Sequence, residues 1–410
     1  MKESWALDRP WLSDGVVVFW AYLAGVAATM VQFALPAVLP AVESRFGYNP
    51  AQAGWVMSLF AVATLVTALP GGMMSRQMGP RRIGAIGLFS MAAGSALVAI
   101  ALSDAAGTGF WIGRGLSGLG FGLTAVAAPA AIGRFVSPRR LPWAMAVWAT
   151  WVPVGALAMF FAAPRWASST PSLVHFNLGL AGMAVLVGVG FVLGIPAVRE
   201  AGAHARHGVL EALGWAVRRR PVVWAASSFA AFTFGVFGLN TFVTTFFVTR
   251  FGWSLVAAGN FAAAMSAAGG VGNLIAGAAW SRAPGRWSVT VAPAAAVSLL
   301  WLGYLSQAPA VVMAAALAAS LIGGFIPTVV FAAPVHHARA GEEIPLLMAL
   351  VIVGENAGII GGPAIFGLWL HLTGSWTAAF LTIFVVNAWM TLGMWRLASA
   401  GPSDEALQSA

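Results

Sequence analysis

The sequence contains no cysteine and few charged side chains. The absence of cysteine from all 410 residues excludes disulfide bonds, thiolate metal sites and a thiol nucleophile. Only 8% of the residues are charged, against about 25% in an ordinary soluble domain. By contrast, 60% are hydrophobic and the mean hydropathy is +0.86. This composition excludes a soluble globular enzyme and indicates a protein that lies in a membrane.

The hydrophobic residues are grouped into twelve apolar stretches of at least 18 residues each. Each stretch is long enough, at about 1.5 Å per helical residue, to cross a hydrocarbon layer of about 30 Å. We therefore predict an all-α membrane protein with twelve transmembrane spans, numbered 1 to 12 in chain order. They cover residues 15–41, 52–72, 81–103, 108–131, 142–163, 174–196, 222–248, 254–279, 288–306, 308–332, 345–370 and 376–397.

The positions of the basic residues predict the orientation of the chain. Of the 21 lysine and arginine residues, all but four fall on the same side of the membrane as the N-terminus. The exceptions are Arg45, Arg165 and Arg250, on the opposite side, and Arg114, inside a span. This is the positive-inside bias, so both termini are expected in the cytoplasm. The net charge of +9 is accordingly assigned to the loops at the bilayer surface, and no nucleic-acid partner is expected.

A polar stretch in the middle of the chain divides the spans into two sets of six. Residues 199–221 are predicted to form a cytoplasmic linker, and the spacing of Val209, Leu210, Leu213 and Val217 favours an amphipathic helix within it. The flanking domains are expected at residues 1–198 and 222–410.

Short motifs recur in the two halves at a nearly constant separation of about 205 residues, the hallmark of an internal repeat. Arg45-Phe46-Gly47 after span 1 corresponds to Arg250-Phe251-Gly252 after span 7. The loops after spans 2 and 8, and the starts of spans 5 and 11, match in the same way. Because six spans separate the copies, the two halves have the same orientation. The sequence therefore predicts two pseudo-symmetric six-helix bundles.

Two motifs connect the chain with a known family. In the loop after span 2, Gly72, Gly79, Arg81 and Arg82 match the glycines and arginines of a Gly-x-x-x-Asp-Arg-x-Gly-Arg-Arg signature, although Arg76 and Gln77 stand in place of its Asp-Arg pair. In span 4, Arg114 is followed by closely spaced glycines. Together these motifs resemble those of a major facilitator superfamily transporter. With Arg76 in place of the acid, the signature loop lacks the carboxylate of the family's charge relay.

The resemblance implies alternating access to a polar site that is lined by spans 1, 4, 7 and 10. Span 5 carries Trp151-Val152-Pro153-Val154-Gly155-Ala156, a degenerate form of the Gly-Pro-x-x-Gly-Gly element of drug-proton antiporters. This departure favours uptake over multidrug efflux. The general pattern is similar to cyanate-porter-like and other small-anion members of the superfamily.

Two ionisable residues lie deep inside the predicted spans. Arg114 is in span 4 and Glu355 is in span 11, next to Asn356. Arg114 either binds an anionic substrate or responds to a proton site, or else it braces a neighbouring helix through backbone carbonyls. A low-dielectric site disfavours the charged form of a carboxyl group, so Glu355 is a candidate proton-coupling site. The alternative is a permanently protonated carboxyl that holds the glycine-rich helices together.

Uncharged polar residues form stripes along two spans that the family places at its cavity. Tyr22, Thr29 and Gln32 share one face of span 1, and Thr233, Asn240 and Thr244 share one face of span 7. Such stripes suit a small polar substrate, but each residue also suits helix packing, at about 0.6 kcal/mol per contact. No nucleophile triad, phosphate-binding loop or metal-ligand spacing is present in the sequence.

These observations predict a secondary active transporter, not an enzyme, with neither cofactor nor metal. The expected cargo is a small polar or anionic metabolite, taken up with protons by a monomer in the bilayer of a bacterial inner membrane. Two alternatives stay open: proton-driven efflux of hydrophobic drugs, and a non-transporting receptor or assembly factor on the same fold.

The repeat also predicts a conformational gate on the cytoplasmic side. Arg139 and Arg140 occupy positions that correspond to Glu342 and Glu343 in the second half. We expect the two pairs to attract one another when the inside is closed, each exposed bridge contributing about 1 kcal/mol or less. Replacing Arg139 and Arg140 by Glu should reduce transport, and adding Glu342→Arg and Glu343→Arg should restore it. Uptake assays that show no rescue would contradict the gate.

Overall fold

The computed structural model describes residues 13–167, 169–197, 214, 217–338 and 344–400. Within them, twelve helical segments are long and apolar enough to cross a membrane, so the predicted all-α class and number of spans are confirmed. Nine spans are single helices: Asp14–Ala37, Pro50–Met78, Pro80–Asp104, Gly107–Phe135, Thr170–Gly194, Arg220–Phe251, Leu255–Arg282, Ile344–Thr373 and Trp376–Ala398.

Spans 5, 9 and 10 are each interrupted. Span 5 comprises Leu141–Trp148 and Trp151–Trp166, span 9 comprises Trp287–Leu300 and a 3-10 turn Trp301–Leu305, and span 10 comprises Pro309–Gly323 and Phe325–His337. The breaks in spans 5 and 10 lie three residues before Pro153 and Pro327. Because proline has no N–H to donate to the carbonyl four residues earlier, the α-helix is interrupted there.

Span 1 is shorter than its sequence suggests. The helix ends at Ala37 instead of continuing to residue 41, and a separate helix, Leu39–Phe46, follows it. Pro36 lies near the end of the first helix and Pro40 at the start of the second. The two prolines therefore account for the break at Val38, which hydropathy alone does not reveal.

The chain divides into two compact units. The first contains most of the residues before 206 together with Leu255–Ala263, and the second contains most of the later residues together with Asn49–Ser58. The first turns of spans 2 and 8 thus belong to the unit formed by the other half of the sequence. In the second unit, for example, Ser58 donates a hydrogen bond of 2.6 Å to the carbonyl of Ile360 in span 11.

The same pattern of neighbours is found inside both units. In the first unit span 1 packs against spans 4, 5 and 6, and span 3 packs against spans 4 and 6. In the second unit span 7 packs against spans 10, 11 and 12, and span 9 packs against spans 10 and 12. Each span is matched by the span six places later, as a repeat of parallel orientation requires.

Glycines with positive φ mark equivalent loops of the two halves. Gly47 and Gly252, which follow spans 1 and 7, have φ of 65° and 67°. Gly79 and Gly285, in the loops after spans 2 and 8, have φ of 84° and 70°. Side chains with a Cβ rarely adopt such conformations, so the repeated glycines preserve a repeated backbone.

Span 11 approaches span 7 closely through a row of glycines. A Cβ atom added to Gly354, Gly358 or Gly362 would collide with the backbone of span 7. Small residues at such positions let two helices pack backbone to backbone inside a membrane. The glycines of span 11 are therefore packing residues, and they position the neighbouring Glu355 against span 7.

Two of the predictions lie outside the described part of the chain. Most of the linker predicted at residues 199–221 is not described, and neither are Glu342 and Glu343. The amphipathic helix of the linker and the pairing of the gate residues therefore stay predictions.

Gly79 should be the least replaceable of the loop glycines. Its ψ of 148° places it, with φ of 84°, in a region that only glycine adopts readily. Gly79→Ala should lower stability by about 1–3 kcal/mol, observed as a lower melting temperature of the purified protein by tryptophan fluorescence. Gly182→Ala is the matched control, because Gly182 is helical with open space around its Cα. Equal melting temperatures for the two variants would contradict this account of Gly79.

Candidate functional site

Arg114 of span 4 is buried in the first unit and hydrogen-bonded to span 1. Its side chain is only 3% exposed. One terminal nitrogen donates to the carbonyl of Val31 at 2.9 Å and the other to the carbonyl of Gln32 at 3.2 Å. Charged groups are costly inside a bilayer unless the protein supplies partners. The geometry favours the bracing role, in which Arg114 ties span 4 to span 1.

Aromatic rings continue from Arg114 towards span 5. The guanidinium lies 4.6 Å from the centre of the Phe60 ring, a cation–π distance. Ring centres then follow at 5.5 Å from Phe60 to Phe121, 5.7 Å from Phe121 to Trp151 and 4.9 Å from Trp151 to Trp148. We call these four side chains the aromatic row. They join spans 2, 4 and 5 within the first unit.

A small and mostly apolar cavity lies beside Arg114. Its volume is about 20 Å³, and its polar lining consists of Arg114, Ser95, Ser117 and Asn177 from spans 3, 4 and 6. A space of this size holds about one water molecule. The cavity is suited to hydrating the buried guanidinium and is too small for a metabolite.

The polar stripe of span 1 faces other helices of the same unit. The Tyr22 hydroxyl lies 3.0 Å from the hydroxyl of Thr150, at the break of span 5. Thr29 is fully buried and packs against Gly155. Gln32 is 5% exposed, and its backbone carbonyl accepts the bond from Arg114. Tyr22 and Thr29 therefore contribute to helix packing.

Glu355 is the ionisable residue of span 11. It is half-buried, and its backbone carbonyl accepts a hydrogen bond of 2.9 Å from the Thr233 hydroxyl of span 7. Within the described ranges, no side chain or backbone N–H donates to its carboxylate, and no arginine or histidine pairs with it. The neighbouring Asn356 is 6% exposed, and its amide donates to Ile352 of its own helix.

The residues of the span 7 stripe have different environments. Thr233 binds carbonyls of its own helix as well as that of Glu355, and Thr244 is fully buried. Asn240 is half-buried, and over the described residues its amide has no hydrogen-bond partner. Asn240 is therefore the member of this stripe whose side chain is best able to bind a ligand.

The signature loop after span 2 and the Arg139-Arg140 pair, the gate candidates of the first half, differ in exposure. Arg82, Arg139 and Arg140 are exposed, and Arg81 and Gly72 are half-buried. Gly79 joins span 2 to span 3 as the one residue between their helices.

Two histidines end the second helix of span 10, beyond the membrane-spanning residues. His336 packs edge-on against Trp280 at 5.4 Å between ring centres. Burial, reinforced by His336, lowers the pKa of His337 below its usual value. Neutral His337 is therefore part of the packing at this helix end.

Sequence reasoning placed Phe121 on the same face of span 4 as Arg114, but it did not identify Phe60 or Thr150 as neighbours of the candidate residues. Each is on a different span from the group it contacts, so its spacing along the chain carries no signal. The Pro153 break indicates only that Thr150 lies in a non-helical turn.

Comparison with known families decides the class of this protein. A family model described as Major Facilitator Superfamily matches residues 21–342, well over half of the chain. The chain belongs to the Major Facilitator Superfamily. This superfamily member is an integral membrane protein and a secondary transporter, not an enzyme. No curated protein matches the sequence.

Solved structures with the same fold include transporters of the superfamily. A bacterial homologue of the human lysosomal transporter Spinster, inward-facing and unoccupied, gives a TM-score of 0.71 at 15% identity, with 94% of both chains covered. Its inward-facing, occupied form gives 0.70 at 13% identity, with 93% of both chains covered. The E. coli fucose:proton symporter FucP gives 0.65 at 17% identity, covering 94% of this chain and 98% of that one. At these identities the likeness shows the fold alone.

Arg114 should be more important for stability than an exposed arginine of this superfamily member. Arg114→Lys replaces a planar, two-pronged donor by a single ammonium group. We expect a loss of about 1.5–3 kcal/mol, the usual contribution of a hydrogen bond to a charged group, measured as a lower melting temperature. The exposed Arg82→Lys is the control and should change stability by less than about 0.5 kcal/mol. Equal shifts in the two variants would refute the bracing role.

Proposed function

We propose that this transporter takes up a small polar or anionic metabolite together with protons, by alternating access. The observation that carries the coupling proposal is the environment of Glu355. A carboxylate in an apolar span is costly while it is charged, and no described group compensates the charge of Glu355. When the surroundings of Glu355 change, the change that costs the least free energy is therefore for its carboxyl group to bind or release a proton.

The position of Glu355 allows its protonation to influence the helices around it. Its backbone is fixed to span 7 by the bond from Thr233 and by the glycine contacts on either side. The carboxylate itself has no described hydrogen-bond partner. Binding a proton thus changes the charge at a fixed point on span 11, and a local charge change of this kind can bias a two-state equilibrium.

Substrate recognition is assigned to uncharged polar groups, with Arg114 acting indirectly. Arg114 uses its terminal nitrogens to hold span 1. The side-chain amides of Gln32 in the first unit and Asn240 in the second have no described hydrogen-bond partner. Each amide offers both donors and an acceptor, which suits hydroxyl, carbonyl or carboxylate groups on a small metabolite.

Three further assignments rest on sequence and fold. The charge distribution of the loops favours cytoplasmic termini in a bacterial inner membrane. One protein of similar fold is a fucose:proton symporter, so the architecture is compatible with proton-driven uptake. We assign a monomer, because both compact units are formed within a single chain, each from its own set of packed helices.

A second candidate function is supported by the aromatic row. Trp148 and Trp151 are stacked, and Trp151 is only partly buried. Stacked indoles suit flat hydrophobic or cationic compounds. Proton-driven efflux of such compounds is therefore the alternative to metabolite uptake.

A stability screen of the purified protein is the first experiment. Small organic acids, amino acids, sugars and cationic drugs are tested for a concentration-dependent rise in melting temperature, since a ligand that binds the folded state stabilises it. Stabilisation by a polar metabolite supports uptake, and stabilisation by cationic drugs alone supports efflux.

The stabilising compound then serves as the substrate in proteoliposomes. For Glu355→Gln we expect the effect of an imposed proton gradient on uptake to fall at least tenfold, while exchange of substrate without a gradient persists. The side chain of Gln has nearly the same shape but cannot bind or release the proton. Uptake is measured with labelled substrate, and proton entry with a pH-sensitive dye inside the vesicles.

Asp104→Asn is the matched control, because Asp104 is exposed at the end of span 3. It should leave the gradient response intact. A Glu355→Gln protein that still couples uptake to the gradient would show that the coupling site is elsewhere.

A further inference from the structure

An apolar groove on the second unit has no part in the proposed transport cycle. It lies between spans 7, 11 and 12 and has a volume of about 740 Å³. Its wall on span 12 includes Val385, Trp389 and Leu392, which are 65%, 48% and 39% exposed. The groove is therefore open to the outer surface of the unit, where membrane lipid surrounds it.

The groove extends over about 10 Å of helix, at 1.5 Å per residue. On span 7 it is lined from Ser227 to Phe234, mostly by small side chains such as Ala230 and Ala231. Small residues leave a channel along the helix that an unbranched hydrocarbon chain can fill. An acyl chain in this channel would replace empty space by van der Waals contact.

Two arginines lie in line with the groove. On span 7, Arg220 precedes Trp224 and Ser227 by four and seven residues, a spacing that places all three on one helix face. On span 12, Arg396 follows Leu392 and Trp389 by the same intervals. Both arginines are exposed. Each therefore extends the groove-lining face of its own helix towards the membrane surface.

Contacts between the two helices bring these arginines to the same level. Asn387 donates to the carbonyl of Ala231 at 3.1 Å, and Ser228 donates to the carbonyl of Met390 at 3.3 Å. Asn387 is thus level with Ala231, and Met390 is level with Ser228. Each residue towards the C-terminus of span 12 is therefore matched by one residue towards the N-terminus of span 7. The same register places Arg396 within about 3 Å of the level of Arg220 along the helix axis.

The end of the groove is aromatic as well as basic. Trp224 lies one turn from Arg220 on span 7, and its ring is 5.5 Å from that of Trp389 in the groove wall. Tryptophan is favoured at the boundary between hydrocarbon and headgroups. In the described part of the chain neither Arg220 nor Arg396 has a carboxylate partner, and Arg396 lies over the ring of Trp395. Two positive charges therefore stand at headgroup depth beside an apolar channel.

From this arrangement we propose that the groove is a binding site for an anionic phospholipid. One acyl chain lies between spans 7, 11 and 12, and the phosphate lies between Arg220 and Arg396. Arginine binds phosphate oxygens through paired N–H donors, and basic pockets between helices attract anionic headgroups. A phospholipid supplies the negative charge and the hydrocarbon chain in one molecule. The proposal is independent of the transported substrate.

The test is native mass spectrometry of the full chain, purified in detergent and titrated with phosphatidylglycerol or with phosphatidylcholine. We expect one phosphatidylglycerol to bind more tightly than further copies and more tightly than phosphatidylcholine. The double variant Arg220→Gln, Arg396→Gln should bind it about 30-fold more weakly, since each basic residue near a membrane surface contributes about 1 kcal/mol and 1.4 kcal/mol is tenfold.

Two further variants separate the parts of the site. Ala388→Phe fills the groove from an exposed position and leaves both arginines in place, so it should also weaken phosphatidylglycerol binding. The double variant Arg82→Gln, Arg282→Gln removes two exposed arginines that do not line the groove, and should bind as the unaltered protein does. Melting temperatures establish that all variants are folded.

Three results would overturn the proposal. Equal affinity for phosphatidylglycerol and phosphatidylcholine would show that the site does not recognise the anionic headgroup. Unchanged binding in the Arg220, Arg396 variant or in the Ala388→Phe variant would place the lipid elsewhere. An equal loss of phosphatidylglycerol binding in the Arg82→Gln, Arg282→Gln variant would show that binding depends only on the net charge of the protein.

Discussion

The exclusion of water from the spans is the constraint on which the structure depends. Inside the hydrocarbon layer, polar groups need partners supplied by the protein. Arg114 meets this need through two carbonyls of span 1 and the ring of Phe60. Thr233 meets it through carbonyls of spans 7 and 11. These bonds are also the contacts that fix one helix against another, so satisfying polar groups and assembling each unit are the same process.

Against this background, the side chains that lack partners are informative. The carboxylate of Glu355 and the amides of Gln32 and Asn240 have no hydrogen-bond partner among the described residues. These are therefore the three groups to which the proposed proton and polar metabolite are assigned.

The sequence was sufficient to predict the features that depend on hydropathy and on the repeat. The number of spans follows from the lengths of apolar runs, and Gly79 and Gly285 could be matched because their loops share several residues. The site was harder to predict, since its contacts join different spans. The spacing of Tyr22 and Thr29 correctly placed them on one face of span 1, but it does not reveal that this face packs on Thr150 and Gly155. The break at Val38 was missed because hydropathy does not register the loss of N–H donors at Pro36 and Pro40.

The two halves have kept their backbone plan but not their ionisable groups. The helix neighbours and the positive-φ glycines are repeated, whereas Arg114 corresponds to Ser320 and Glu355 falls near Val152 at the offset of the repeat. A buried basic residue is thus present in one copy and a half-buried acidic residue in the other. Packing constraints act equally on both copies and preserve their symmetry. The carboxylate of Glu355 has no described hydrogen-bond partner, so no packing constraint requires it to have a counterpart in span 5, and the proposed coupling needs only one such group.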